Sequence, residues 1–172
     1  MTIIEKIRAN KLVYLHLNAV PEEYFGETSE IIAALKDNTS IESIQFDKDF
    51  ICCVCGRERR ELLKQVAKLP NLKDAFLGDA CLMVDAIATL LKNAKGLKKI
   101  SLHRLVMQGI EKDFEGLAVV LHQHASLKGF RIEDCVASNE NIDIEKIVHG
   151  GKNFIKSIID KPIHSKVSAI AA

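Results

Sequence analysis

Four groups of residues have types and spacings that could support chemistry. Cys52, Cys53 and Cys55 lie in CCVCGR, a CxxC followed by glycine that resembles half of a zinc knuckle. A structural zinc ion needs four thiolate or imidazole ligands. No second CxxC or CxxH follows, so a further ligand would have to be an isolated residue such as Cys81. A redox-active pair is the second reading, and thiols shielded inside a loop are the expected one. His122 and His124 form an HxH pair on a predicted helix, where residues two apart diverge and cannot share a metal. His124 falls near the inner stripe and is expected to pack or cap. Arg57 to Glu61, RERRE, could recognise an acidic partner, but its interleaved glutamates fit a solvated first helical turn.

Ser101 and His103 could serve as nucleophile and base, with Asp74 or Asp47 as the orienting acid. On a regular strand face these side chains stand side by side without a pocket or oxyanion hole. The chain is therefore expected not to be an enzyme. No catalytic residue, metal site or cofactor is assigned.

What must position all of these residues is a repeat. In Leu97 to Met107, LKKISLHRLVM, apolar residues occupy offsets 0, 3, 5, 8 and 10. Offsets 0, 3 and 5 recur as Leu12, Leu15, Leu17; Ile41, Ile44, Phe46; Leu72, Ala75, Leu77; and Leu127, Phe130, Ile132. With 48% apolar residues, fifteen such matches arise by chance about once in 10⁵ trials. A weaker sixth copy reads Phe154, Ser157, Ile159. Offsets 2, 4 and 6 are polar or glycine apart from Tyr14 and Phe76, which is the period of a strand with one wet face.

Counting back ten, seven and six residues from each later start gives Ile31, Ala34, Leu35; Leu62, Gln65, Val66; Ile87, Leu90, Leu91; Leu117, Val120, Leu121; and Ile144, Ile147, Val148. Spacing of i, i+3, i+4 is the inner stripe of an amphipathic helix. Each unit is a strand plus a helix. The starts at 12, 41, 72, 97, 127 and 154 give unit lengths of 29, 31, 25, 30 and 27 residues. Units of that size bury their apolar faces only by stacking on one another. The expected fold is α/β, a solenoid of five to six degenerate repeats with a curved parallel sheet on the concave face and helices on the convex face. One domain is expected across 1–172, with a capping helix in 1–11, repeats in 12–161 and a frayed tail in 162–172.

The LxxLxL pattern resembles leucine-rich repeats of the ribonuclease-inhibitor type, and ALKDNTSIESIQF, Ala34 to Phe46, is similar to a helix-to-strand join of that subtype. Cys135 occupies the family's Asn/Cys position at offset 8. Val20, Asp49, Ala80 and Leu105 stand there in the other units, so an asparagine ladder is largely missing. The resemblance implies protein binding, as in intracellular inhibitors, immune receptors, scaffolds and short bacterial effectors.

Lys plus Arg number 24 against 23 Asp plus Glu. Such balance provides no large field to attract nucleic acid or anionic membrane. Apolar runs fall far short of the roughly 18 residues a membrane span needs, and Glu5, Lys6 and Arg8 interrupt any signal-peptide core. Five cysteines, three of them crowded into Cys52, Cys53 and Cys55, do not look like a disulfide framework. An intracellular, cytoplasmic protein that is monomeric alone is expected. Its function is expected to be non-enzymatic protein binding through the concave sheet, with a structural subunit or assembly factor, or a short bacterial effector, as alternatives. Parallel stacking should align offset 4 into one row, His16, Gln45, Phe76, Ser101, Arg131. With Tyr14 and His103, this row is the expected partner surface, and Phe76 is its anchor.

Overall fold

Apolar residues at offsets 3 and 5 can share one core only if neighbouring units pair in register. The computed structural model, which describes residues 1–18, 28–47, 50, 51, 54, 56–144 and 163–166, shows that register. In chain order the elements are α1 (Ile3–Arg8), β1 (Tyr14–Leu17), α2 (Thr28–Leu35), β2 (Ser43–Phe46), α3 (Gly56–Val66), β3 (Asp74–Gly78), β4 (Cys81–Met83), α4 (Val84–Asn93), β5 (Lys99–His103), β6 (Val106–Gln108), α5 (Glu111–Gln123), β7 (Gly129–Glu133), β8 (Val136–Ala137) and β9 (Ile163–Lys166). The fold is α/β with two parallel sheets, ordered β1-β2-β3-β5-β7-β9 and β4-β6-β8. Every strand from β1 to β7 in the larger sheet starts at offset 2. The residues at offsets 3 and 5 are buried in one core with the helix stripes.

Among the described residues the helix stripes are buried except at Val120, which is half-buried, and at Gln65; Ile147 and Val148 of the last stripe lie outside the described residues. In α3 the buried set is Leu62, Leu63 and Val66, whereas Gln65 turns aside and donates to Glu61 Oε1 at 2.7 Å. A buried Leu in place of an amide avoids the cost of desolvating a polar group. The leading helix forms as α1, closed by a capping box: the Glu5 N–H donates to Thr2 Oγ1 and the Thr2 N–H to Glu5 Oε2. Its buried Ile4 and Ile7 extend the core beside α2.

Two features depart from the sequence reading. Ile163–Lys166, inside the segment expected to fray, forms β9 and pairs in parallel with β7, while the weak copy at Phe154 to Ile159 lies outside the described residues. The outer edge of β7 presents unpaired backbone groups, and such an edge recruits an extended segment that carries no repeat pattern of its own. The second sheet has no counterpart among the expected elements. Each of its strands follows a left-handed residue at offset 7, namely Asp79, Arg104 and Asp134, with φ of 53°, 48° and 54°. Past that turn the Val106 N–H donates to the Ala80 carbonyl at 2.8 Å and the Val136 N–H to that of Leu105 at 2.9 Å. Backbone groups thus bond to each other at offset 8, so an asparagine side chain is not needed there, and Ala80, Leu105 and Cys135 are buried instead. Burial pushes the Cys135 thiol up, which keeps it neutral.

The polar cross-links sit at the opposite turn, where helix leads back to strand. Buried Asn38 donates through Nδ2 to the Ile7 carbonyl at 2.7 Å and accepts from the N–H groups of Ser40 and Ile41. His124 occupies the same place in its own unit, buried, with Nε2 3.0 Å from the Ala94 carbonyl. Asn38→Ala would orphan buried groups and is expected to cost roughly 2–3 kcal/mol. Asn71→Ala, which removes one exposed bond to the Thr39 carbonyl, should cost less than about 1 kcal/mol. Equal shifts in thermal melting would contradict this assignment. Among the described residues, no helix is long and apolar enough to cross a membrane.

Candidate interaction surface

The outward row is aligned by hydrogen-bonded register: His16 lies beside Gln45, Gln45 beside Phe76, Phe76 beside Ser101 and Ser101 beside Arg131. Alignment follows from parallel pairing without slippage, because each strand keeps its apolar set on the core side. The side chains of the row fall into three groups.

At the β1 end, a polar network centres on Asp47, a residue the sequence did not single out for this surface. Its Oδ2 lies 2.7 Å from His16 Nε2, and both carboxylate oxygens accept from Gln45 Nε2 at 3.2 Å. Gln45 in turn accepts from the Tyr14 hydroxyl through Oε1. Tyr14 is 49% exposed, so this network orients an aromatic ring at the rim of the face. Alternation alone could have flagged Asp47, since offset 6 shares a face with offset 4.

In the middle, Phe76 is half-buried rather than projecting. Its ring lies along the sheet toward Gly78: a Cβ placed on Gly78 would meet Phe76 Cε1 at 2.6 Å. His103 flanks the same ring, with centroids 6.2 Å apart. Gly78 therefore makes the space for the expected anchor. Gly78→Ala should destabilise the fold by about 1–2 kcal/mol through that overlap. Adding Phe76→Ala should remove the penalty, because the obstructing ring is gone. A double-mutant cycle in urea denaturation measures this coupling, and strict additivity would mean that the ring does not depend on the glycine.

At the β7 end, Arg131 pairs with Glu133 at 2.8 Å on the same strand face, while its own side chain stays 56% exposed. Ser101 lies half-buried between Phe76 and Arg131 in register. The Ser101–His103–Asp arrangement does not assemble. Asp47 is engaged by His16, and Asp74 is in register with Lys99 at the other end of the strand from His103.

The remaining candidates have separate structural surroundings. Cys52, Cys53 and Cys55 lie outside the described residues. Cys81 is half-buried with a free thiol. His122 is exposed and His124 buried, diverging as helical neighbours two apart must. Within RERRE, Arg59 is a tether that donates to the carbonyls of Val54, at 2.8 Å, and Cys81. Arg60 and Glu61 reach Asp85 and Lys64 at 4.0 and 3.7 Å. The segment is thus tied partly inward, where a solvated turn had been expected.

No protein-family model matches the chain, and no curated protein matches it. Solved structures do. The tropomodulin C-terminal domain of Caenorhabditis elegans superposes with a TM-score of 0.61 at 13% identity, over 92% of this chain and 90% of that one. Leiomodin-1 actin-binding site 2 gives a TM-score of 0.57 at 15% identity, over 92% and 88%. At these identities the likeness is one of fold. It corrects the ribonuclease-inhibitor-type expectation: these tropomodulin and leiomodin domains are leucine-rich-repeat-like but distinct from that subtype.

Proposed function

We propose that this protein is a non-enzymatic interaction module that holds a partner protein against the open face of its six-stranded sheet. The observation that carries this reading is the aligned row, whose side chains are held before any partner arrives: Tyr14 and His16 through Asp47, Phe76 over Gly78, and Arg131 by Glu133. Side chains immobilised in advance lose less entropy on binding, and aromatic and arginine groups supply most interface energy. The leiomodin-1 domain is named as an actin-binding site, so actin is the first partner to try. The test immobilises the protein and measures capture of purified actin and of extract proteins. Ser101→Trp should block the face and abolish specific capture, while Glu115→Trp on exposed α5 should not. Capture that survives Ser101→Trp and is lost with Glu115→Trp would move the interface to the helices.

A permanent subunit of a larger assembly is the second reading, favoured by exposed Met83, Val106 and Ile110 around the smaller sheet, at 40%, 40% and 66%. Light scattering after size-exclusion chromatography separates the two. A monomer at both low and high concentration supports the transient binder.

A further inference from the structure

Net charge near zero hides a segregation that only register reveals. Offset 1 carries Lys73, Lys98 and Lys128 in three successive units. Their backbones are joined directly: the Lys98 N–H donates to the Lys73 carbonyl at 2.6 Å, and the Lys128 N–H to the Lys98 carbonyl at 2.8 Å. The three lysines therefore stand one strand spacing apart, about 4.8 Å. Glu42 neutralises Lys73 at 2.7 Å. Lys98 and Lys128 are exposed and, among the described residues, form no ion pair. Exposed Lys99 adds a charge beside them, opposed in register by Asp74 alone. Acidic Asp47, Asp79, Glu133 and Asp134 lie at the other ends of the strands.

Like charges on adjacent strands repel. Favourable helix C-terminal dipoles account for Lys92 and Lys95 at the end of α4. They do not account for Lys98, Lys99 and Lys128, which lie past the turn on the strand side. Next to this edge, the ends of α4 and α5 enclose a groove of about 620 Å³. Leu91, Val119 and Val120 line it, with Lys92 and Lys95 on one wall. Val119 is 47% exposed there. The turns that follow the two helices are joined by the His124–Ala94 contact, and the groove-lining residues Lys95 and Ser126 precede Lys98 and Lys128 by three and two residues.

We infer that this lysine edge and the adjoining groove bind an acidic amphipathic helix of a partner protein. Carboxylates at i and i+4 on a helix are about 5–6 Å apart, which matches the lysine spacing, and the apolar side of such a helix supplies the residues that would fill the groove. Nucleic acid fits less well, because neither an arginine fork nor an aromatic platform accompanies these lysines. Lys95, Lys98 and Lys128 lie outside the offset-4 row of the open face, so either reading can fail without the other.

The experiment titrates the full chain into a fluorescein-labelled helical peptide built of Glu-Glu-Leu-Leu repeats and follows anisotropy. Saturable binding that weakens with added NaCl is expected. Lys95→Glu, Lys98→Glu and Lys128→Glu together should lower affinity at least about tenfold. Val119→Asp should lower it as well, and Phe76→Ala should leave it unchanged. If the charge reversal disturbs the circular dichroism spectrum, Lys98→Gln with Lys128→Gln replaces it. Equal binding by the lysine variants, or of a peptide with every Glu replaced by Gln, would overturn the proposal. Tighter, lysine-dependent binding of an oligo-dT strand or of phosphatidylserine vesicles would overturn it too, in favour of a polyanion site.

Discussion

Leu102→Asp is expected to leave no folded protein, while Ser101→Asp, one residue earlier, is expected to melt within a few degrees of the parent. Leu102 has no exposed surface and lies in register between Leu77 and Ile132, which are 0% and 2% exposed. A carboxylate there would have to ionise among aliphatic side chains or stay protonated. Either way it forfeits roughly 4–5 kcal/mol or more, a large part of the 5–15 kcal/mol that typically holds a domain together. Ser101 faces the opposite way, and its register neighbour Arg131 offers a new carboxylate an opposite charge. Soluble yield and circular dichroism melting of the two variants measure the contrast. Similar behaviour would show that the register described for β5 is not the one in solution.

The second large effect concerns binding. With Phe76 and Arg131 both replaced by alanine, affinity for a partner held on the open face should fall about 100-fold, equivalent to roughly 2.7 kcal/mol. Phe76 contributes a ring already laid over Gly78, and Arg131 a guanidinium that Glu133 orients without covering. Some stability will also be lost, since the ring is half-buried. Capture is therefore compared well below the melting transition, with Lys112→Ala on α5 as a control. Partner recovery equal to the parent's would remove the open face from the interface and leave the helices or the smaller sheet.

Much of the architecture was legible in the residues themselves. Leu15, Ile44, Ala75, Ile100 and Phe130 recur with neighbours that, apart from Tyr14 and Phe76, are polar or glycine, so each segment reports that it is a strand and which face is buried. Ile87, Leu90 and Leu91 do the same for a helix. These signals are local and periodic, and one sequence suffices to read them. The row from His16 to Arg131 followed from them once parallel stacking was assumed.

Other features depend on contacts between residues about thirty positions apart, or on backbone angles, and no local pattern reports either. Strands as short as Val136–Ala137 are too brief to show a period, so the second sheet appeared only with the left-handed turns at Asp79, Arg104 and Asp134. Phe76 is an outward residue by alternation, yet its ring lies down because Gly78, two residues along, leaves room. Asp47 became the centre of the polar network through a diagonal neighbour on β1. The strand at Ile163–Lys166 owes its pairing to the open edge of β7 rather than to its own composition. Charge shows the contrast most plainly. Composition sets a balance of 24 against 23, but counting carries no positions. Only the register of β3, β5 and β7 could place Lys73, Lys98 and Lys128 side by side, because that proximity is created by hydrogen bonds between units and not by nearness along the chain.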